Sequence, residues 1–216
     1  MPCFELNLEL VLNLTSPISI KGSWEGEING IASLDSAQAG DLSFLSGKKY
    51  RKAVPDCKAS VLILPEDYEC DPSNEQIYLL HGNPSRAIDL ICENIQHQLS
   101  PKRESGVHDT ASIHDSVQLA DSVFVGPFAV IEEGAKVGEN SEIHAHAYVG
   151  PFAELGDDCV LKPRATIMDY CKLGSDCIVH SGAVIGSEGF GYETVDGQHL
   201  RSPQVGIVVL EDHVDV

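Results

Sequence analysis

The chain has 216 residues, 43% hydrophobic and 22% charged, which excludes a disordered composition and leaves enough apolar surface for a core without staples. Its 14 Lys plus Arg stand against 33 Asp plus Glu, a formal charge of -19, so it is a poor general binder of nucleic-acid backbones. Seven cysteines without a CxxC pair read as small packing residues of a reducing, cytoplasmic compartment, and no run reaches the roughly 20 apolar residues of a membrane span.

Residues 1–100 read as a small α/β unit. Met1 to Leu14 lacks a basic segment and carries Glu5 and Glu9, which argues against a signal peptide. Leu6, Leu10 and Leu14 share one face of a short helix. Pro17 and Gly22 break the chain around a strand at Ile18–Ile20. Val61–Leu64 and Ile77–Leu80 are short aliphatic strands. Asn83-Pro84 pairs an N-cap with a proline in the first helical turn, and Ala87, Leu90, Ile91, Ile95 and Leu99 continue as a helical stripe that Pro101 stops. Residues 101–106 read as a linker.

From Val107 the texture changes. Aliphatic residues recur every six positions, from Val107 through Ile113, Leu119 and Val125 to Ile185, fourteen times without a miss. Four places after each stands a small or modest residue, from Ala111 to Ala183, and glycine often follows the aliphatic one, as at Gly126, Gly138 and Gly156. A period of six fits neither a helix nor a plain strand. It fits a solenoid of short strands and tight turns, three hexads to a triangular coil, each coil paired with the next through parallel ladders. On this reading one side chain per strand points inward, the small residue sits at the bend, and glycine relieves the corner backbone. The repeat breaks after Ile185. The 25 residues to Leu210 are not a multiple of six, so an excursion at about 187–207 leaves the coil, and insertions in solenoids tend to become functional loops.

The hexads resemble those of left-handed parallel β-helix proteins, most of which are trimeric acyltransferases. Three stretches narrow the resemblance: INGIASLDSAQAGDLSFLSGKKY at 28–50, HSGAVIGSEGFGY at 180–192, and SPQVG at 202–206. In this order they resemble the UDP-3-O-acylglucosamine N-acyltransferases of lipid A biosynthesis. The resemblance implies a uridine-binding N-terminal domain in which Phe44 and Tyr50 sandwich uracil, with stacking of low entropic cost. An asparagine of the family lies between those rings. Gly47 stands here, which weakens base readout or hands it to Ser46 or the backbone.

The implied reaction moves a 3-hydroxyacyl group from an acyl carrier protein thioester, the co-substrate, to the 2-amine of UDP-3-O-acylglucosamine, with a histidine as general base and no cofactor. The implied assembly is a homotrimer on the β-helix faces. In the family the base lies in an Ala-His-Asn context that these 216 residues lack, so the expectation is that the catalytic group and a basic carrier surface lie beyond Val216 and that this chain is a fragment. His180, just before the excursion, is a possible substrate contact. Residues 101–216 hold 7 Lys plus Arg against 19 Asp plus Glu, without a basic run. Cys159, Cys171 and Cys177 fall on the small-residue positions and read as packing atoms, and no short-range cluster supplies a metal site. GSEGFG lacks the spacing of a dinucleotide loop. Two alternatives remain: another sugar-nucleotide acyltransferase, or a non-enzymatic hexapeptide-repeat scaffold.

Overall fold

The structure, a computed structural model, describes residues 4–216. Met1 to Cys3, the start of the segment read as free of a signal sequence, lie outside the described residues. The chain divides into two units, Met1–Lys102 and Arg103–Val216.

The first unit is built on a mixed five-stranded sheet: β1 (Ser19–Gly22), β2 (Gly30–Ile31), β3 (Asp41–Phe44), β4 (Val61–Pro65) and β5 (Ile77–His81), in the order β1-β5-β4-β3-β2. Only β1 runs antiparallel to its neighbour; the other pairs are parallel. VLIL and IYLL are unbroken apolar runs because β4 and β5 are covered on both faces. Leu42, Val61, Ile63 and Leu79 pack under the helices, while Leu62, Leu64, Tyr78 and Leu80 fill the opposite side.

Helix α1 (Leu8–Thr15) starts at Asn7, whose side chain accepts from the Leu10 N–H, and ends at Ser16 in the left-handed region. Its buried residues are Val11 and Thr15; of the expected Leu6-Leu10-Leu14 face, Leu6 is buried in the core just before the helix, and Leu10 and Leu14 are half-buried. Asn83 caps α2 (Pro84–Leu99) by accepting from the Arg86 N–H at 3.1 Å. The stripe on α2 centres on Ala87, Ile88 and Ile91, and Leu99 is exposed.

The second unit is a left-handed parallel β-helix. Each strand is two residues long, and three parallel sheets of five strands form its faces. Inward residues are Val107, Val125, Ile143, Leu161 and Val179 on the first face, Ile113, Ile131, Val149, Ile167 and Ile185 on the second, and Leu119, Val137, Leu155, Leu173 and Leu210 on the third. Most are fully buried, but Val107 is 49% exposed and Ile113 and Leu119 only half-buried, because the first coil has a neighbouring coil on one side only.

Two expectations of the hexad reading need correction. The small series is as buried as the aliphatic one: Ala129, Ala147, Cys159, Ala165 and Cys177 are each 0% exposed. Each hexad therefore sends two side chains into the prism, and the small one is small because the corner narrows there. Within the coils the glycines after the aliphatic residues, such as Gly126, Gly138 and Gly156, are not where the backbone turns left-handed; of that series only Gly186, at the exit, has positive φ. That conformation falls two residues later, on Phe128, Asn140, His146, Phe152, Asp158, Arg164, Tyr170 and Asp176, with φ between 54° and 64°. In this conformation the N–H points along the prism axis and donates to the previous coil, as from His146 to the Pro127 carbonyl at 3.0 Å. At the first coil Thr110, Ser116 and Ser122 accept these bonds with their hydroxyls. Gly156 instead relieves crowding between coils, since a Cβ there would lie 2.7 Å from the backbone of Gly174.

From Leu173 to Leu210 the register advances 37 residues where 18 is the rule, an excess of 19. The chain leaves at Gly186 (φ 87°), where a Cβ would strike the Cys171 sulfur. The excursion contains an antiparallel hairpin, Tyr192–Val195 with Gln198–Arg201, turned by Asp196-Gly197, both with positive φ.

Candidate functional site

Phe44 ends β3, and Tyr50 stands on the 3-10 helix Lys48–Asp56 that Gly47 opens. The Tyr50 N–H donates to the Gly47 carbonyl at 3.0 Å, which fixes the turn between the two rings. Both rings line one cavity of about 470 Å³, with Ser33, Leu34, Asp35, Ser46 and Ala53. Phe44 is half-buried and packed against the core, so it is a rigid floor; Tyr50 is 47% exposed, with the Lys49 ammonium 4.6 Å from its ring centre. Gly47 has extended backbone, φ -167°, and no atom within 4 Å of where a Cβ would stand.

Asp35 was not singled out by the sequence reading. The Ser33 hydroxyl donates to its carboxylate at 2.6 Å and, with a backbone hydrogen bond, holds its pKa below the usual carboxylate value. It is thus an ionised acceptor on the cavity wall, suited to a ribose hydroxyl or a base N–H. The signal available was the SLDS sequence at 33–36, a turn in which serine and aspartate bond locally. Ser46 lines this cavity and a smaller one of about 140 Å³ that also touches Gly47, Lys48 and Arg51.

In the β-helix, the His180 Nε2 lies 2.6 Å from an Asp215 carboxylate oxygen, and both side chains are exposed. His144 pairs with Glu142 at 2.9 Å and is largely covered, whereas His146 stacks on Phe128 with ring centres 5.2 Å apart. Cys159, Cys171 and Cys177 are buried; burial pushes the Cys159 thiol up to about 11, and its sulfur donates to the Gly174 carbonyl. Among the described residues no three His, Cys, Asp or Glu converge as metal ligands, and no helix is long and apolar enough to cross a membrane.

The excursion joins the other two sequence stretches. Gln204 lies against Gly189 and Gly191, where any Cβ would meet its amide at about 3 Å, so SPQVG closes over the GFG turn. Glu188 and Arg201 form an ion pair across its base. The folding leaves Phe190 94% and Val205 93% exposed.

Residues 25–93 match the family model of UDP-3-O-(3-hydroxymyristoyl) glucosamine N-acyltransferase, and residues 116–151 and 152–187 match the bacterial transferase hexapeptide repeat. The chain is 43% identical over 190 residues to UDP-3-O-acylglucosamine N-acyltransferase 1 of Legionella pneumophila, covering 88% of this chain and 52% of that one. Identity to the UDP-3-O-acylglucosamine N-acyltransferase of Methylacidiphilum infernorum is 41%, covering 91% and 55%, and to that of Polynucleobacter asymbioticus 31%, covering 92% and 59%. The chain thus spans little more than half the length of the curated relatives it matches. The match over residues 25–93, the hexapeptide match and these relatives agree in order along the sequence, and the chain belongs to the UDP-3-O-acylglucosamine N-acyltransferase family of hexapeptide-repeat proteins.

Proposed function

We propose that this chain serves N-acyl transfer to a UDP-linked, 3-O-acylated glucosamine in lipid A biosynthesis, and that its first unit holds the uridine. The observation that carries this reading is the meeting of Phe44 and Tyr50 on one cavity beside the ionised Asp35. A flat base stacked on these rings gives up little side-chain entropy.

In the reaction the acceptor amine bonds to the acyl carbon of the carrier thioester. The carbon–sulfur bond breaks, and the carrier thiolate leaves as a base takes the proton lost by nitrogen. No residue of this chain is assigned as that base, because the 216 residues contain no Ala-His-Asn sequence. His180, oriented by Asp215, is retained as a substrate contact. The reading includes a homotrimer assembled on the β-helix faces, by resemblance to the family and because cyclic closure covers flat solenoid sides.

Calorimetry with UDP-N-acetylglucosamine tests the uridine site. Stacking contributes about 1–3 kcal/mol per base, so Phe44→Ala or Tyr50→Ala weakens binding roughly five- to a hundredfold. Unchanged affinity in both variants, with the fold intact by circular dichroism, returns the two rings to a purely packing role.

A further inference from the structure

Helix α2 carries more apolar surface than the sheet covers. Its buried residues, Ala87, Ile88 and Ile91, lie in the first half, whereas Ile95 is half-buried and Leu99 is 44% exposed. Cys92, Ile95, Gln96, Leu99 and Ser100 fall at helical spacing on one face, and that face lines a cavity of about 600 Å³. Ile28, just before strand β2, and Ile31, within it, line the same cavity. β2 is two residues long and forms the edge of the sheet, so no further strand covers this part of the helix.

Phe4 adds a wall, and the segment that carries it is fixed. The Glu5 N–H donates to the Gln98 side-chain oxygen at 2.7 Å, and the Gln98 amide donates back to the Glu5 carbonyl at 3.1 Å. The same amide donates to the Asn94 side chain at 2.7 Å, one turn back on α2. None of the ten residues that line the cavity is charged, although 22% of the chain is. Burial, with the charge of Asp89, pushes the pKa of the Cys92 thiol up, so it too lines the cavity as a neutral group. The side chains of Gln96 and Ser100 have no hydrogen-bond partner among the described residues. From Cys92 to Ser100 the lined face is about 12 Å long at the helical rise.

We propose that this cavity binds an acyl chain, at a place separate from the nucleotide site. The two cavities have no lining residue in common: Ile28 to Ile31 serve one, and Ser33 to Asp35 the other. The proposal rests on the acyltransferase reading, which supplies 3-hydroxyacyl compounds as ligands. The uncharged lining selects an apolar chain over a phosphate or a carboxylate, since either would be buried without a counter-charge. The elongated face suits an extended chain, and Gln96 and Ser100 are free to bond its 3-hydroxyl or carbonyl oxygen. A second copy of the chain, seated on the same face through Leu99, is the rival occupant, and the test separates the two.

The test is protection of Cys92 from alkylation. Cys92 and Cys70 are both exposed, and Cys70 does not line the cavity, so it is the internal control. Iodoacetamide labelling of each is followed by peptide mass spectrometry, with methyl 3-hydroxydecanoate or 3-hydroxydecanoate as probe. At saturation the ester is expected to slow labelling of Cys92 about fivefold or more and to leave Cys70 unchanged. The acid is expected to need a higher concentration, because no cation of the lining meets its carboxylate. Trp24, the one tryptophan of the chain, packs on the same cluster as Ile28 and Ile95, and its emission should shift over the same range. Leu99→Asp weakens protection about tenfold, whereas Ile18→Asp, 64% exposed beside β1 at the opposite edge of the sheet, changes it less than about twofold. Both positions are exposed, so both variants fold, as circular dichroism checks. No protection of Cys92 up to the solubility limit of the ester, equal protection of Cys70, or equal loss in both variants overturns the proposal. Shielding of Cys92 that rises with protein concentration in the absence of probe, with a matching rise in mass by light scattering, assigns the face to a second copy and equally overturns it. UDP-N-acetylglucosamine at saturation keeps the two readings apart. Loss of Cys92 protection in its presence places the chain in the nucleotide cavity and overturns the proposal; its failure to bind sinks the uridine site and leaves the protection to stand by itself. UDP-3-O-(3-hydroxydecanoyl)glucosamine identifies the source: protection at a lower concentration than the ester means the acceptor's own chain, and at a higher one a free acyl compound, and either upholds the site.

Discussion

Gly47→Asn is expected to tighten nucleotide binding without disturbing the fold. Three features of the structure set the magnitude. The position has extended backbone, φ -167°, which any residue adopts, so asparagine introduces no strain. An added Cβ meets no atom within 4 Å, so it introduces no clash. The position is also the N-cap of the 3-10 helix and has no side-chain capping bond, so asparagine is tolerated or slightly favoured there. What it adds is one neutral hydrogen bond to the base edge, worth about 0.5–1.5 kcal/mol net, or roughly two- to twelvefold in affinity. The assay is calorimetric titration of UDP-N-acetylglucosamine into parent, Gly47→Asn and Gly47→Ala chains. Alanine supplies the loss of backbone freedom without the amide, so the comparison isolates the hydrogen bond. Asparagine binding no better than alanine refutes the reasoning, and it then indicates that the amide folds back to cap the helix instead of facing the cavity.

Gly156→Ala should destabilise the β-helix by about 1–3 kcal/mol, because the new methyl meets backbone atoms at 2.7 Å that cannot rotate away. Gly182→Ala should cost about 1 kcal/mol from its positive φ of 80°, and Gly182→Asn less, since Asn140 holds the same place in its hexad with a φ of 59°; melting temperatures that reverse this order would contradict the close-approach account. Burial holds His81 below the ordinary imidazole range near 6.5, and its Nε2 has no partner. A depressed imidazole means that the unfolded chain binds more protons, so this stability is present above the unfolded value and is lost as pH falls through the folded one. Urea midpoints should therefore drop between pH 7 and pH 5, and the drop should shrink in His81→Leu; an equal drop in both places the acid sensitivity elsewhere.

The β-helix was legible because its constraint repeats. One inward aliphatic per six residues, held for fourteen hexads, leaves no other fold that satisfies every position. Detail at the corners was not legible. A glycine that avoids a neighbouring coil looks in sequence like a glycine that turns, and only the geometry separates Gly156 from the left-handed Asp158. In the first unit β4 and β5 announced themselves as apolar runs, whereas β2 is two residues long and β3 alternates Asp41, Leu42, Ser43 and Phe44. Their pairing is set by the sheet, not by local preference. The Asp196-Gly197 hairpin carried a readable turn signal within a segment taken only as a polar excursion. Phe44 and Tyr50 were reached through resemblance, while Asp35 carried only a local turn signal, and its place beside the two rings depends on residues distant in sequence.

The central claim is that the first unit holds the uridine of a sugar nucleotide, and a crystal structure of the chain with UDP-N-acetylglucosamine tests it most directly. The account predicts the uracil ring between Phe44 and Tyr50, with its ribose or base edge within hydrogen-bond distance of Asp35 or Ser46. Clear density for the nucleotide elsewhere, or an empty Phe44–Tyr50 cavity at saturating ligand, would contradict it.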